Sequence, residues 1–145
     1  MTDDAPTESD DPTVVAAIAV RSDDVVTALE STLRSSRRTV LRVTPPFSGR
    51  MRARLHQPSD DGADASPGPI HVDPETLVDD VPPYPEPDAT EDRLRAADAY
   101  SPEAHRDAHV AAVESWRDAV RDAIVDVATV ETSEGPHRVE VKRLG

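Results

Sequence analysis

Cysteine is absent from this chain of 145 residues, and glycine, lysine and aromatic residues are scarce. Without a thiol the protein has no disulfide, thiolate zinc site or cysteine nucleophile. None of the five glycines stands in a G-x-G-x-x-G spacing and the single lysine is Lys142, which excludes the usual nucleotide-binding fingerprints. With one Trp, one Phe and two Tyr in the chain, base recognition by aromatic stacking is poorly supported.

Long hydrophobic runs are also missing. The longest apolar run is Val14–Val20, whereas a membrane-spanning helix needs about 20 such residues. The first residues, MTDDAPTESDD, are acidic and lack the basic region that begins a secretory signal peptide. We therefore expect a cytoplasmic protein that makes no membrane contact.

Acidic residues dominate the charged content. Asp and Glu number 29 against 16 Lys and Arg, so the net charge is -13 and any contact with an anionic partner must be local. Nineteen of the acids are Asp and fifteen of the bases are Arg. Dense short carboxylates keep a protein hydrated in molar salt, where a Debye length of about 3 Å weakens their mutual repulsion. The composition indicates a halophilic protein; GC-rich codon usage is the alternative cause of this bias.

The order of apolar patterns predicts one α+β domain over residues 13–145, after a disordered acidic tail at 1–12. The patterns predict strands at 13–20, 38–43, 50–56 and 137–142, and helices at 22–36 and 101–127. Ser22 and Ser101 are the predicted capping residues of the two helices. This βαββαβ order is that of a ferredoxin-like fold, with the helices on one face of an antiparallel sheet. The opposite sheet face would then be open.

Residues 57–100 interrupt this pattern between the third strand and the last helix. They hold eight prolines and, from Ser59 to Asp92, eleven acids without any lysine or arginine. In compact domains a connection of that length is usually either functional or disordered. We expect a mostly irregular acidic excursion containing two short helices, one after Asp73-Pro74 and one at 90–99.

Basic residues are concentrated where acids are missing. Between Glu30 and Asp60 there is no acid, and the arginines in that span are Arg34, Arg37, Arg38, Arg42, Arg50, Arg52 and Arg54. On a single strand, the alternation of Arg50, Arg52, Arg54 and His56 would put all four side chains on one face. Like charges on one face repel one another unless an anion lies against them, and arginine makes bidentate contacts to phosphate and carboxylate groups.

The candidate anion-binding site comprises this strand and the turn before it. In the turn, Ser48 offers a hydroxyl, and Gly49 can take the positive φ that an anion-binding nest of backbone N–H groups requires. The site residues are Arg42, Ser48, Gly49, Arg50, Arg52, Arg54 and His56. Two alternatives stay open, namely an ordinary hairpin turn and a basic face that is solvated or covered by the acidic segment at 60–92.

Two histidine patterns call for comparison with metal and catalytic sites. His105 and His109 stand four residues apart on the long predicted helix, a spacing that can clamp a divalent metal. Arg106 occupies the position of the H-E-x-x-H glutamate, so partly buried structural histidines are the favoured interpretation. His71, Asp73 and Glu75 alternate in the proline-rich excursion, a pattern compatible with an acid–base cluster, but Asp73 is sufficiently explained as a helix cap. We therefore predict no metal centre and no cofactor.

Over its full length the chain resembles small uncharacterised proteins of salt-loving archaea, and the segment TPPFSGRMRARLH at 44–56 is of the kind that would define such a family. The resemblance implies no known activity and assigns no residue roles.

The favoured hypothesis is a non-enzymatic binding module whose arginine-rich hairpin contacts an anionic partner, either a nucleic-acid backbone or a phosphorylated ligand. One alternative is a small enzyme that holds an anionic substrate with the same arginines and uses His56 or the histidine pair as acid–base groups. Another is a subunit or homo-oligomer that pairs through the open sheet face or the long helix.

Overall fold

The computed structural model describes residues 9–35, 37–58 and 68–145 of the chain. They form two compact units, one containing the residues up to Asp79 together with Ile124–Gly145, the other containing Asp80–Ala123. In chain order the elements are β1 (Ala17–Val20), α1 (Ser22–Arg34), β2 (Val40–Val43), β3 (Arg50–Arg52), β4 (Arg54–His56), β5 (Ile70–Val72), α2 (Pro87–Ala96), α3 (Pro102–Asp122), β6 (Val127–Thr132) and β7 (Gly135–Arg143). Helices and strands are both present, which confirms the α+β class.

The acidic segment before β1 makes defined contacts from Ser9 onward. The backbones of Ser9 and Phe47 exchange two hydrogen bonds, of 2.7 and 2.6 Å. A 3-10 turn follows at Pro12–Val14, and the Asp11 carboxylate caps it by accepting hydrogen bonds from the backbone N–H (2.9 Å) and the hydroxyl (2.7 Å) of Thr13. These bonds lower the pKa of Asp11. The rest of the predicted tail lies outside the described residues.

Four strands of the first unit form a mixed sheet in the order β3-β1-β7-β6. β1 runs parallel to both of its neighbours, whereas β6 and β7 form an antiparallel hairpin. One face is apolar and buried: Ile18 lies beside Val141 in register, and Val139 continues the same face along β7. The other face, which we call the outer face, presents the small side chains of Ala17 and Ala19 from β1.

The remaining described strands form an antiparallel sheet in the order β4-β2-β5. Leu41 on β2 lies opposite Leu55 on one side and opposite Val72 on the other. Leu41 and Val72 are buried, so this face of the sheet contributes to the core. The next residue along β2, Arg42, points to the opposite face because side chains alternate along a strand.

The structure contains seven strands in two sheets within the described residues, whereas the sequence predicts four strands in one sheet. The ferredoxin-like order, with helices on one face of a single antiparallel sheet, is therefore not confirmed. Two of the additional strands are β5, inside the predicted excursion, and β6, at the predicted end of the long helix. The third arises because residues 50–56 divide into β3 and β4 and do not form one strand.

Helix α1 starts at the predicted residue, Ser22, but the capping role predicted for this serine is wrong. Ser22 is the first helical residue, and Arg21 occupies the cap position without a side-chain hydrogen bond. The Ser22 hydroxyl instead donates a hydrogen bond to the backbone carbonyl of Gly145. Asp23 and Asp24 lie in the first turn, where their carboxylates interact favourably with the helix dipole.

The second unit is built around α2 and α3. As predicted, Ser101 caps α3: its hydroxyl accepts a hydrogen bond of 3.0 Å from the Ala104 backbone N–H. Trp116 is only 4% exposed, and its indole N–H donates to the Pro82 carbonyl at 2.9 Å. The ring of Tyr84 meets the Trp116 ring edge-on at a centroid distance of 4.9 Å. The aromatic residues of this unit thus have structural roles.

The predicted acidic excursion contains more regular structure than its composition suggests. Residues 59–67 of this segment lie outside the described residues. Both predicted short helices are present, one as a 3-10 turn at Pro74–Leu77 and the other as α2, which starts at Pro87 and therefore earlier than expected. β5 is a strand that the sequence does not predict, and its pairing with β2 attaches this part of the chain to the three-stranded sheet.

Replacing Phe47 by Ala should lower the free energy of unfolding by about 3–5 kcal/mol, since the ring is 0% exposed and its truncation leaves a cavity. Leu55→Ala is the matched control: Leu55 is 42% exposed, and its truncation should cost roughly 1 kcal/mol. Urea unfolding of both variants and the parent protein in molar KCl measures the difference. Equal losses from the two substitutions would contradict a core centred on Phe47.

Candidate anion-binding surfaces

The chain changes sheets in the middle of the predicted arginine-rich strand. The backbone N–H of Ala53 donates to the carbonyl of Ala19 at 2.9 Å, and Ala53 is fully buried. Arg50 and Arg52 consequently belong to the four-stranded sheet and Arg54 to the three-stranded sheet. The expectation of one continuous basic strand is therefore wrong. Alternation fixes which side chains point outward, but it does not fix which strand the backbone pairs with.

The face of the three-stranded sheet opposite the core gathers four basic side chains. Arg42 lies directly opposite Arg54 across the β2–β4 ladder and directly opposite His71 across the β2–β5 ladder. Nη1 of Arg42 lies 3.0 Å from Nε2 and 3.3 Å from Nδ1 of His56, and the His56 and His71 ring centroids are 5.5 Å apart. We call Arg42, Arg54, His56 and His71 the basic face.

Hydrogen-bond chemistry constrains the contact between Arg42 and His56. A guanidinium has only donors, and a neutral imidazole has a lone pair on only one ring nitrogen, so at most one of these two contacts is a hydrogen bond that His56 accepts. His56 thereby helps to hold the Arg42 guanidinium on the basic face. Arg54 brings a second guanidinium to the position opposite Arg42, so two planar donor groups lie on neighbouring strands of one face. Among the described residues no carboxylate forms an ion pair with Arg54, whose side chain is exposed.

Two other arginines of the acid-free span are matched by carboxylates of the protein itself. Arg34 lies 3.7 Å from Glu30, one helical turn earlier, and Arg38 lies 3.1 Å from Asp73. Asp73 makes no capping hydrogen bond to the 3-10 turn that follows it, so its predicted capping role is wrong. These arginines therefore do not extend the basic face.

Arg50 and Arg52 are exposed on the outer face of the four-stranded sheet. In register with them across β1 lie Glu140, at the level of Arg50, and Lys142, at the level of Arg52. Lys142 Nζ is 2.8 Å from the Glu140 carboxylate. This hydrogen bond and the Lys142 charge lower the pKa of Glu140, and the charge of Arg50 adds a smaller lowering. The outer face is thus mixed in charge, unlike the basic face.

The turn before β3 does not form the predicted nest. Gly49 does not adopt a positive φ, and its carbonyl accepts hydrogen bonds from the backbone N–H groups of Ala16 (2.8 Å) and Ala17 (2.9 Å). The Ser48 hydroxyl donates to the Arg50 carbonyl at 2.9 Å. Ser48 and Gly49 therefore shape the turn and fix it to β1, and the side chains of the basic face are the better placed anion ligands.

His105 and His109 pack side by side on α3, with stacked rings 6.2 Å apart. His105 Nε2 lies 2.9 Å from the Pro87 carbonyl, and His109 Nδ1 lies 3.4 Å from the Thr90 hydroxyl. Both rings thus contact residues of α2. In the part of the chain that the structure describes, no three His, Asp or Glu side chains form a group able to hold a metal ion.

His71 is the residue of the basic face that the sequence analysis assigns elsewhere. It stands between Ile70 and Val72, and this apolar–polar–apolar pattern is typical of a short strand with one exposed face. The surrounding prolines and acids conceal the pattern. Reading 70–72 as a strand would have indicated that His71 can join Arg42 and His56 on one face.

The fold and these two surfaces define a small α+β protein with arginines exposed on two sheets. The chain belongs to the family described as Domain of unknown function (DUF8009), whose model matches residues 5–145. No curated protein and no solved structure matches the chain. Among the described helices, none has both the length and the apolar character needed to cross a membrane.

Replacing Lys142 by Met should raise the pKa of Glu140, because the substitution removes the hydrogen bond and the positive charge that stabilise the carboxylate. Lys142→Arg keeps the charge and should leave the pKa lowered. NMR titration of the Glu140 side-chain carboxyl carbon measures both variants against the parent protein. An unchanged titration midpoint in Lys142→Met would show that the ion pair is not formed in solution.

Proposed function

We propose that this protein is a halophilic, cytoplasmic, non-enzymatic binding module of archaeal type that holds a phosphate-bearing partner on its basic face. The partner is a nucleic-acid backbone or a phosphorylated ligand. Arg42 and Arg54 are the principal ligands in this proposal, with His56 orienting Arg42. Arg50 and Arg52 belong to the other sheet and are not ligands in this proposal.

The observation that carries the proposal is the direct opposition of Arg42 and Arg54 across the β2–β4 ladder. Side chains directly opposite on an antiparallel pair have their Cβ atoms about 4.5–5.5 Å apart. Two arginines whose Cβ atoms are that close can bring both guanidinium groups to one tetrahedral anion, and each group can donate two hydrogen bonds to it. Bridging by the anion removes the repulsion between the two cations.

Binding is favoured over catalysis by the contact that His56 makes. The Arg42 guanidinium lies within 3.3 Å of both ring nitrogens of His56 and so occupies the approach that a proton-donating substrate group would need. The role that suits His56 is to hold the Arg42 guanidinium in place. Less conformational entropy is then lost when an anion binds.

Directed hydrogen bonds also suit a protein that works in molar salt. Log affinity for a phosphate backbone falls with log salt by about 0.7–0.9 for each neutralised phosphate, so counterion release contributes little there. Bidentate arginine contacts retain their geometry and much of their strength under the same conditions.

Arg54→Gln should weaken phosphate binding by about 10–100-fold, since a hydrogen bond to a charged group contributes about 1.5–3 kcal/mol. Fluorescence polarisation with labelled tripolyphosphate and with a short single-stranded oligothymidylate, in about 2 M KCl, measures the effect. The oligothymidylate arm tests a nucleic-acid backbone, and the tripolyphosphate arm tests a free phosphorylated ligand.

The matched control is Arg37→Gln, which removes the same charge from an exposed arginine of the acid-free span that lies outside the strands. It should leave binding of both probes unchanged. Arg54→Lys should recover only part of the affinity, because an ammonium group lacks the planar fork. The proposal fails if the parent protein binds neither probe. It also fails if Arg37→Gln weakens binding by the same factor as Arg54→Gln.

The halophilic part of the proposal has its own test. Lowering KCl from about 2 M to about 0.1 M lengthens the Debye length from about 2 to 10 Å, so the repulsion within a chain of net charge -13 should lower the free energy of unfolding. Thermal unfolding followed by circular dichroism across that range measures the change. A melting temperature that does not depend on salt would leave codon bias as the explanation of the composition.

A further inference from the structure

The outer face of the four-stranded sheet contains a trough that the proposed phosphate site does not use. Its floor is made by Ala17 and Ala19 of β1, whose side chains are much shorter than those on the two flanking strands. The cavity has a volume of about 440 Å³ and is lined by Ala17, Ala19, Arg50, Met51 and Lys142. Alternate strands lie about 9–10 Å apart, which sets the width of the trough.

The two walls of the trough differ in charge. On the β3 side, Arg50 and Arg52 are exposed and stand two residues apart, so their side chains point to the same face. On the β7 side, Glu140 and Lys142 form an ion pair with each other. One wall therefore presents net positive charge, the other is close to neutral, and the floor between them is apolar.

We infer that this trough binds an extended, acidic segment of a partner polypeptide lying along β1. Arg50 and Arg52 stand two residues apart on a strand, a distance of about 6.5–7 Å. Carboxylates at alternate positions of an extended peptide have the same spacing, so each can meet one guanidinium. Because successive side chains of an extended peptide point in opposite directions, its intervening apolar side chains would then face the β7 wall, and its backbone would lie over the alanine floor.

Charge and composition favour a polypeptide over a nucleic acid as the occupant. The Glu140 carboxylate on the far wall repels phosphate groups, and none of the residues that line the trough is aromatic. A peptide with acids on one edge only can place its neutral edge against the Glu140–Lys142 pair. The apolar side chains of that neutral edge are buried against the far wall, a contact that molar salt does not weaken as it weakens an exposed ion pair.

The inference is independent of the proposed phosphate site, because the trough is lined by Ala17, Ala19 and Arg50, with Arg52 following on β3, and not by Arg42, Arg54 or His56. The probe is the labelled peptide acetyl-Asp-Val-Asp-Val-Asp-Val-amide in about 2 M KCl, followed by fluorescence polarisation. The matched control peptide, acetyl-Asp-Asp-Asp-Val-Val-Val-amide, has the same composition without the alternation. We expect the alternating peptide to bind at least about tenfold more tightly.

Ala19→Phe fills the trough without changing its charge and should lower affinity for the alternating peptide at least about tenfold. Thr129→Phe is the matched control: Thr129 is exposed on β6, outside the lining of the trough, and the variant should bind like the parent. Circular dichroism and urea unfolding establish that both variants fold. Arg52→Glu gives a second test, since it should abolish binding of the acidic peptide and create binding of acetyl-Lys-Val-Lys-Val-Lys-Val-amide.

The outcomes separate this site from the phosphate site. Ala19→Phe should leave tripolyphosphate binding unchanged, and Arg54→Gln should leave peptide binding unchanged. The inference is overturned if the parent protein binds both peptides equally or neither of them. It is also overturned if light scattering shows a dimer that Ala19→Phe dissociates, because a second copy of the chain would then occupy the trough.

Discussion

The backbone hydrogen bond from Ala53 to Ala19 marks the point where the chain leaves one sheet and enters the other. Because Ala53 is fully buried there, its neighbours Arg52 and Arg54 alternate outward and remain exposed. The same crossing ends β3, starts β4 and so determines the partners of two edge strands. Two sheets receive arginines from one short segment, and each sheet surrounds those arginines with different neighbours.

The neighbours decide what each group of arginines can do. On the three-stranded sheet, Arg54 lies opposite a second guanidinium, that of Arg42, and two planar donor groups on neighbouring strands suit one compact anion. On the four-stranded sheet, Arg50 and Arg52 stand in a row beside small alanines and an ion pair, which suits an extended ligand with regularly spaced acids. Chain position alone gives no such distinction, since all these arginines belong to a single alternating pattern in the sequence.

The sequence predicts what local patterns determine. Helix α3 begins at its expected cap, α1 begins at its expected residue, and β2 and β7 lie where apolar runs and alternation indicate. It does not predict β6, because the apolar residues after Asp122 satisfy helical spacing and strand alternation alike, and only the pairing with β7 decides between them. His71 is missed for a similar reason, since the strand that orients it exists through its partner β2. Of the basic face, the sequence thus predicts Arg42, Arg54 and His56 as members of one group, but neither His71 nor the arrangement of the four side chains.

The exposure of Arg52 and Arg54 is informative because the chain has carboxylates in excess. Ion pairs within the described residues join Arg34 to Glu30, Arg38 to Asp73, Arg95 to Glu91, Arg117 to Glu114 and Arg121 to Asp118. With 29 acids against 16 bases, a carboxylate is available to most arginines that can reach one. In the described structure none of them pairs with Arg52 or Arg54. An external anion gains the most favourable electrostatic interaction at a positive charge that no carboxylate of the described residues neutralises, as at Arg52 and Arg54.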